Sequence, residues 1–302
     1  MKTELEKINK ELGTNYTELT GETWRDISAN QHLTEAFIEK HANRVNWYCI
    51  SEYQKLSEKF IAKHAEQVNW GCISEYQKLS EKFIAKHAEQ VNWGCISRYQ
   101  KLSEKFIEKH AEQVDWYCIS KYQKLSEAFI EKYADRVDWF CISAYQPLSE
   151  AFIEKHANRV NGGCISAYQK LTPAFIKKHD LKIDKDNWLY KTTKFKEAKV
   201  RKCGKYKCLK DYFIAYKAIR QDRYSLYNFQ YKYLKGKVYE THADYTKEED
   251  SFGFSVWTEE GAKDYGKGGN VLIIKCKVYY RDVARLVHNS NKIRCPKITI
   301  LK

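Results

Sequence analysis

The chain contains only three prolines in 302 residues, and 43% of its residues are hydrophobic. This composition excludes collagen-like, low-complexity and intrinsically disordered classes, because enough apolar surface is available to form a packed core. No apolar run approaches the roughly 20 residues that a transmembrane helix needs. The charged segment at residues 1–13 also lacks the apolar stretch of a signal peptide. We therefore expect a soluble, intracellular, cytoplasmic protein that does not contact a membrane.

The ten cysteines do not indicate a disulfide-rich secreted domain. Six of them recur at intervals of 23 residues, which is a packing pattern, and we expect reduced thiols. These six are Cys49, Cys72, Cys95, Cys118, Cys141 and Cys164.

Positive charge is concentrated in the C-terminal part of the chain. Residues 1–182 hold 26 Lys and Arg against 25 Asp and Glu, whereas residues 183–302 hold 27 against 14. The second part therefore carries nearly all of the net charge of +14. We predict an N-terminal cap with a degenerate repeat at 1–32, a repeat domain at 33–182 and a basic domain at 183–302.

A unit of 23 residues recurs six times between residues 33 and 170, and a typical copy is LSEKFIAKHAEQVNWGCISEYQK at 56–78. Ser57 and Asn69 are good N-caps, and the apolar spacing after each one predicts a short amphipathic helix. Helices of about eight residues are unstable alone. Neighbouring copies must therefore cover each other's apolar faces, which predicts an α-solenoid.

Residues that recur every 23 positions form columns along such a stack. The His and Cys columns place one side chain in each layer and do not converge on a point as zinc ligands do, so we predict no metal and no other cofactor there. The Glu and Lys columns are explained by helix dipoles and solvation. The Gln column is Gln54, Gln77, Gln100, Gln123, Gln146 and Gln169. We expect its amides to form a structural hydrogen-bonded ladder.

Positions that vary between copies are the predicted binding surface for a protein partner, since the constant positions hold the stack. We expect charge reversal of Arg98 and Lys121 to weaken capture of that partner in pull-downs, and unchanged capture would contradict the prediction. Neutral drift on a solvated face is the alternative. The predicted surface comprises Tyr48, Glu52, Lys59, Glu75, Lys82, Arg98, Lys105, Tyr117, Lys121 and Phe140.

Gly162 occupies the position where the other copies have Trp. Loss of a buried Trp leaves a cavity that costs about 3–5 kcal/mol. We expect the C-terminal domain to fill this gap, with Trp188 as the first candidate.

The 23-residue period ends before residue 183, and β-rich runs follow. Strands are predicted at 212–219, 237–240, 252–258, 271–279 and 297–301. Helices are predicted after the N-cap Thr258 and at 281–288. These elements indicate a small α+β domain with a mostly antiparallel sheet.

The segment at 191–210 holds nine Lys or Arg and one acidic residue, interleaved with aromatic residues. Phe195, Tyr206 and Tyr212 suit base stacking beside phosphate contacts, so an anionic ligand or nucleic acid is predicted here. A solvated face or a docking strip is the alternative. Whether Cys203, Cys208, Cys276 and Cys295 bind zinc stays open. The predicted anion-binding residues are Lys194, Lys196, Lys199, Arg201, Lys202, Lys205, Lys207 and Arg220.

The pattern LSExFIxKHAxxVNWxCISxYQK resembles the short helical repeats of giant-DNA-virus and phage proteins over residues 33–179. The segments YKAIR, FGFSVWTEEGAKDYG, DVARLVHN and KIRCPKI resemble an uncharacterised viral domain that accompanies such repeats. These resemblances imply a repeat architecture, a viral origin and a location in the host cell, but no chemistry.

FGFSVWTEEGAKDYG is also similar to the middle motif of ADP-ribosyltransferases, which implies catalytic roles for Arg220 and Ser255. The catalytic Glu of that family is missing from KIRCPKITIL. We therefore predict a non-enzymatic viral adaptor that binds a protein partner on its solenoid face and an anionic ligand or nucleic acid on its basic domain. The alternative is an ADP-ribosyltransferase-like or nucleotide-processing domain that the solenoid targets. Protein labelling from labelled NAD that Arg220→Ala abolishes would favour the alternative.

Overall fold

The computed structural model describes residues 3–226, 231–249, 251–266 and 271–301. Short helices at regular spacing of about 23 residues are followed by an antiparallel sheet of eight strands. Across these ranges, the structure contains no helix that is both long and apolar enough to span a bilayer. The chain divides into two compact units, Met1–Val114 and Asp115–Lys302.

The helices that precede the sheet are mostly two turns or less in length. Their bounds are α1 Glu4–Leu12, α2 Gly21–Asn30, α3 Glu35–Lys40, α4 Trp47–Tyr53, α5 Glu58–Lys63, α6 Trp70–Tyr76, α7 Glu81–Lys86, α8 Trp93–Tyr99, α9 Glu104–Lys109, α10 Trp116–Tyr122, α11 Glu127–Lys132, α12 Trp139–Tyr145, α13 Glu150–Lys155, α14 Gly162–Tyr168, α15 Pro173–Lys178 and α16 Thr193–Cys203.

In the first unit, each repeat supplies two capped helices and packs on the next repeat through aromatic rings. Ser57 Oγ accepts from Phe60 N at 3.1 Å, and Asn69 Oδ1 accepts from Cys72 N at 2.9 Å, as the sequence predicted. The Trp70 ring lies 6.2 Å from the Phe83 ring and 5.1 Å from the His87 ring of the following copy. Short helices thus gain their apolar contacts from a neighbouring copy.

The Gln column links each copy to the backbone of the preceding one. Gln77 Nε2 donates to Ser51 O at 2.9 Å and to Gln54 O at 2.8 Å, and Gln77 Oε1 accepts from Leu56 N at 3.1 Å. Gln77 is buried, so these three bonds satisfy backbone groups that water does not reach. The predicted structural role is correct. The expected amide-to-amide ladder is wrong, since the amide nitrogens of the column donate to main-chain oxygens of the preceding copy, as seen for Gln54, Gln77, Gln100, Gln146 and Gln169.

Two further columns connect the copies in ways that the sequence did not predict. Ser51 Oγ donates to Trp47 O at 2.7 Å and accepts from Asn69 N at 2.9 Å, so it joins the second helix of one copy to the next N-cap. Glu58 Oε1 accepts from Ser80 N at 2.5 Å. The Glu column therefore does more than complement helix dipoles, because it also caps the following copy.

In the second unit, Gln146 Nε2 donates to Gln123 O at 2.8 Å, and the Trp139 ring lies 6.2 Å from the Phe152 ring, as in the first unit. A linking segment then joins the last repeat. Asn187 Nδ2 donates to Ala167 O at 2.7 Å, and the Tyr190 hydroxyl donates to Gln169 O at 3.0 Å. A 3₁₀ turn, Trp188–Tyr190, lies between these two contacts. Side chains of the C-terminal domain thus satisfy backbone carbonyls at the end of the helical repeats.

The expectation that Trp188 fills a gap at Gly162 is wrong. Gly162 is exposed, and a Cβ added there would meet no atom within 4 Å. Trp188 instead belongs to the core of the C-terminal domain, where its ring packs edge-on against Phe195 at 5.4 Å. An exposed position creates no buried cavity, so no partner side chain is needed.

The described residues of the C-terminal domain form eight strands, with the bounds β1 Lys207–Cys208, β2 Tyr212–Arg220, β3 Val238–Glu240, β4 Phe254–Trp257, β5 Val271–Tyr279, β6 Arg285–Val287, β7 Lys292–Cys295 and β8 Lys297–Ile300. They form one sheet in the order β3-β8-β5-β2-β4-β7-β6, with β1 paired to β2, and every pair is antiparallel. Helix α17, Glu259–Tyr265, begins after the predicted N-cap Thr258 and contacts β2 and β4.

The predicted helix at 281–288 is wrong. A 3₁₀ turn, Tyr280–Asp282, leads into strand β6, whose residue Leu286 pairs with Ile293 of β7. The sequence prediction also missed β7 itself. Both strands are short and depend on each other's backbone hydrogen bonds, which the local apolar spacing does not reveal.

A buried ion pair joins strand β7 to the segment that precedes β4. Asp244 and Arg294 are fully buried, and Arg294 Nη1 lies 3.2 Å from Asp244 Oδ2. Gly253 has a φ of +118°, and a Cβ there would lie 2.8 Å from Ala243 Cβ and 3.0 Å from Arg294 Cγ. Glycine is therefore required where the chain enters β4 beside the ion pair.

Candidate functional site

Helix α16 carries most of the predicted anion-binding residues and sorts them onto different faces. Thr192 caps its start, and Gly204 ends it with a φ of +68°. Val200 is fully buried against the sheet core. Phe195, Lys199 and Lys202 are spaced i, i+4 and i+7, so they share a second face of the helix. On this face Phe195 is half-buried against the core, whereas Lys199 and Lys202 are exposed.

This second face borders a depression of about 390 Å³. We call it the α16 groove. It is lined by Asp186, Trp188, Phe195, Lys199, Lys202, Cys203, Arg285, Leu286 and Ser290. The guanidinium of Arg285 lies 5.0 Å from the centre of the Trp188 ring, and its Nη1 donates to Asp186 O at 2.6 Å. Arg285 is therefore fixed beside an aromatic wall.

The α16 groove is positively charged. Lys199 and Lys202 are exposed, and Lys199 Nζ lies 5.3 Å from the Phe195 ring centre. Burial lowers the pKa of Arg285 from its usual value, but a guanidinium remains charged at neutral pH. Asp186 also lines the groove, but its carboxylate is 2.6 Å from the ammonium of Lys247, which does not line the groove. The negative charge of Asp186 is therefore balanced by Lys247.

Lys196 does not belong to an anion-binding surface, although the sequence predicted that it would. It lies on the inner face of α16 with Val200, and it is buried. Its Nζ donates to Arg281 O at 3.3 Å and lies 5.1 Å from the Tyr245 ring centre. Burial lowers the pKa of Lys196 to about 8, as expected for an ammonium removed from water.

The other predicted cations are spread over the domain surface. Arg201 Nε pairs with Glu197 Oε1 at 2.8 Å, on a face of α16 beside Tyr280. Lys205 Nζ donates to Asn289 O at 2.7 Å. Lys194 and Lys207 are exposed and do not line the groove, so Lys199 and Lys202 are the predicted residues that the fold brings together there.

Of the three predicted stacking rings, Phe195 lines the groove. Tyr206 is wrongly predicted, because it is buried and packs edge-on against Phe213 at 5.4 Å. Tyr212 is half-buried and packs against Tyr279 of β5 at 6.0 Å. The prediction missed Arg285, which the fold brings to α16 from strand β6.

The two candidate catalytic residues share one face of the sheet. Tyr216 of β2 pairs directly with Trp257 of β4, so their side chains lie on the same face of the sheet. Arg220 follows Tyr216 by four residues and Ser255 precedes Trp257 by two, and residues an even number apart on a strand share a face. Arg220 Nε lies 3.4 Å from Asp222 Oδ1. The resemblance to ADP-ribosyltransferases also requires a catalytic Glu, which these two residues do not replace. The enzymatic alternative therefore stays a prediction.

All ten residues of the predicted partner surface are accessible to solvent. Tyr48, Tyr117 and Phe140 are more than half exposed, which is unusual for large apolar side chains. Glu52, Glu75 and Lys121 are half-buried, and the remaining four are exposed. Their side chains are therefore available to a partner, which stays a prediction.

All ten cysteines are free thiols. Burial raises the pKa of Cys276 to about 12, and Cys203 Sγ donates to Val200 O. The described residues contain no group of three or more His, Cys, Asp or Glu side chains arranged to hold a metal ion.

Comparison of the chain with protein-family models, with curated proteins and with solved structures gives no match.

Proposed function

We propose that this protein is a non-enzymatic adaptor whose α16 groove binds the phosphate groups of a single-stranded nucleic acid. The observation that carries the proposal is the shared face of Phe195, Lys199 and Lys202, opposite Arg285 and Trp188. Sequence-independent binding of single strands needs a cationic track beside aromatic rings, and the groove combines both. The buried and ion-paired cations elsewhere on α16 are not needed.

We further propose that the repeats form an α-solenoid that presents the partner surface. The contacts of α4 with α6 and of α6 with α8 support this architecture, as do the Gln and Ser bonds between successive copies. In such an array each copy depends on its neighbours, and variable side chains remain free for recognition. A viral origin and the protein partner remain predictions from the sequence.

The groove is tested by the affinity of the full chain for a labelled single strand of about 15 nucleotides, measured by fluorescence anisotropy at several salt concentrations. We expect Lys199→Gln/Lys202→Gln to weaken binding about tenfold at low salt. The slope of log affinity against log salt should fall by about 1.4, because two phosphate contacts are lost.

The matched control is Lys235→Gln/Lys237→Gln, which removes the same charge from exposed positions outside the groove. We expect this control to retain most of the affinity. If both double variants weaken binding equally, only overall charge attracts the strand, and the groove is not the site.

A further inference from the structure

A second concave site of about 510 Å³ lies in the unit Asp115–Lys302 and shares no lining residue with the α16 groove. We call it the Lys217 cleft. Helices α10 and α12 form one side, and strand β2 with Tyr231 and Tyr233 forms the other. The side chains that matter are Lys121, Tyr122, Lys124, Tyr145, Lys217 and Tyr231.

Lys217 occupies a position on β2 where the pattern calls for an apolar residue. Its side chain lies on the same face of the strand as those of Phe213, Ala215 and Ile219, which are two or four residues away. These three side chains are buried in the core. Its Nζ donates to Ser255 O at 3.1 Å and lies 5.5 Å from the Tyr233 ring centre. Among the described residues, no carboxylate forms an ion pair with it.

The lining of the cleft favours an anion. Lys121 is half-buried and Lys124 is exposed at the same site. Glu240 also lines the cleft, but its carboxylate forms an ion pair with Lys297. His242 stacks on Phe252 at 5.3 Å, and burial lowers its pKa to about 4, so its ring is neutral at pH 7. An ammonium without a counter-charge thus stands in a partly desolvated site.

Aromatic rings line both sides of the same cleft and are held in place by other rings. Tyr231 packs edge-on against Phe254 at 4.9 Å, and Tyr145 packs edge-on against Phe252 at 4.7 Å. Lys121 Nζ lies 5.1 Å from the Tyr145 ring centre. A planar ring in the ligand can stack on these fixed surfaces while its anionic group reaches the lysines.

We propose that the Lys217 cleft binds a nucleoside monophosphate. The dianionic phosphate pairs with Lys217 and the neighbouring lysines, and the base stacks on the tyrosines. The volume falls within the roughly 300–1,000 Å³ of small-ligand sites. Burial also lowers the pKa of Lys217, and a bound phosphate relieves this cost by supplying the missing counter-charge.

The test is calorimetric titration of the full chain with AMP, adenosine and inorganic phosphate. We expect AMP to bind at least about tenfold more tightly than either fragment, because both halves of the cleft are then used. Lys217→Met should weaken AMP binding by about 10- to 100-fold, the loss typical of a hydrogen bond to a charged group. We expect this variant to fold, because methionine retains most of the apolar stem of lysine. A melting curve recorded without ligand checks that it does.

Lys275→Met is the matched control. Lys275 lies opposite Tyr216 in the sheet, so it projects from the other face than Lys217, and it is exposed. We expect this control, and also Lys199→Gln/Lys202→Gln, to bind AMP as the original chain does. Absence of AMP binding, or a folded Lys217→Met variant with undiminished affinity, would overturn the proposal. Loss of AMP binding in the groove variant would instead assign the nucleotide to the α16 groove.

Discussion

Asp244→Ala should lower the free energy of unfolding of the C-terminal domain by about 3–5 kcal/mol, because it removes the carboxylate that lies 3.2 Å from the fully buried guanidinium of Arg294. Asp244 Oδ1 also accepts from Thr246 N at 2.6 Å, so a loop contact is lost as well. Hydrogen exchange followed by mass spectrometry on peptides that cover β4 and β7 measures the effect. Amide protection there should fall by at least about a hundredfold.

Two variants separate this effect from a general loss of charge. Asp186→Ala removes the exposed pair with Lys247 and should cost no more than about 1 kcal/mol. Asp244→Ala/Arg294→Met replaces both buried ions and should recover part of the lost stability. Equal protection in Asp244→Ala and the original chain would show that the buried pair does not hold the domain.

Gln77→Leu should destabilise the repeats by about 3 kcal/mol or more, because it leaves three buried backbone groups without partners. Ser51 O and Gln54 O belong to the preceding copy, and Leu56 N belongs to the first residue of the copy that contains Gln77. Since copies are coupled mainly to their neighbours, the damage should concentrate at that junction. Hydrogen exchange of peptides from α4 and α6 measures it.

Gln90→Leu is the control, since Gln90 lies in the next copy and in the same compact unit, Met1–Val114. Gln90 is exposed, and its Oε1 bonds to His87 Nδ1 at 2.7 Å within one copy. The loss of that single exposed bond should leave protection of α4 and α6 unchanged. A similar loss in both variants would mean that the Gln column does not couple the copies.

The helices of the repeats and their N-caps could be predicted, because the local sequence specifies both. Ser57 and Asn69 cap helices as expected. The partner of Gln77 was not predictable, since the period reveals that copies are alike but not which atoms of two copies meet. The same limit hid the role of Ser51, a small polar residue in a helix that bonds to the next N-cap.

In the basic domain, local sequence patterns only partly distinguished the lysines that line the groove from those that are buried or lie elsewhere. A helix over 193–203 would have placed Lys196 on the buried face with Val200, four residues away, but the charge of the segment obscured that periodicity. Arg285 joins the α16 groove from about a hundred residues further along the chain. Strand β6 likewise depends on β7, so long-range pairing decided both features.

Photo-crosslinking of a 5-iodouracil-containing single strand to the full chain, followed by peptide mapping, shows whether the α16 groove holds the nucleic acid. We predict crosslinks at Trp188 or Phe195, the rings that line the groove. Crosslinks confined to tyrosines of the repeats, or to aromatic residues outside the groove, would show that the strand binds elsewhere on the protein.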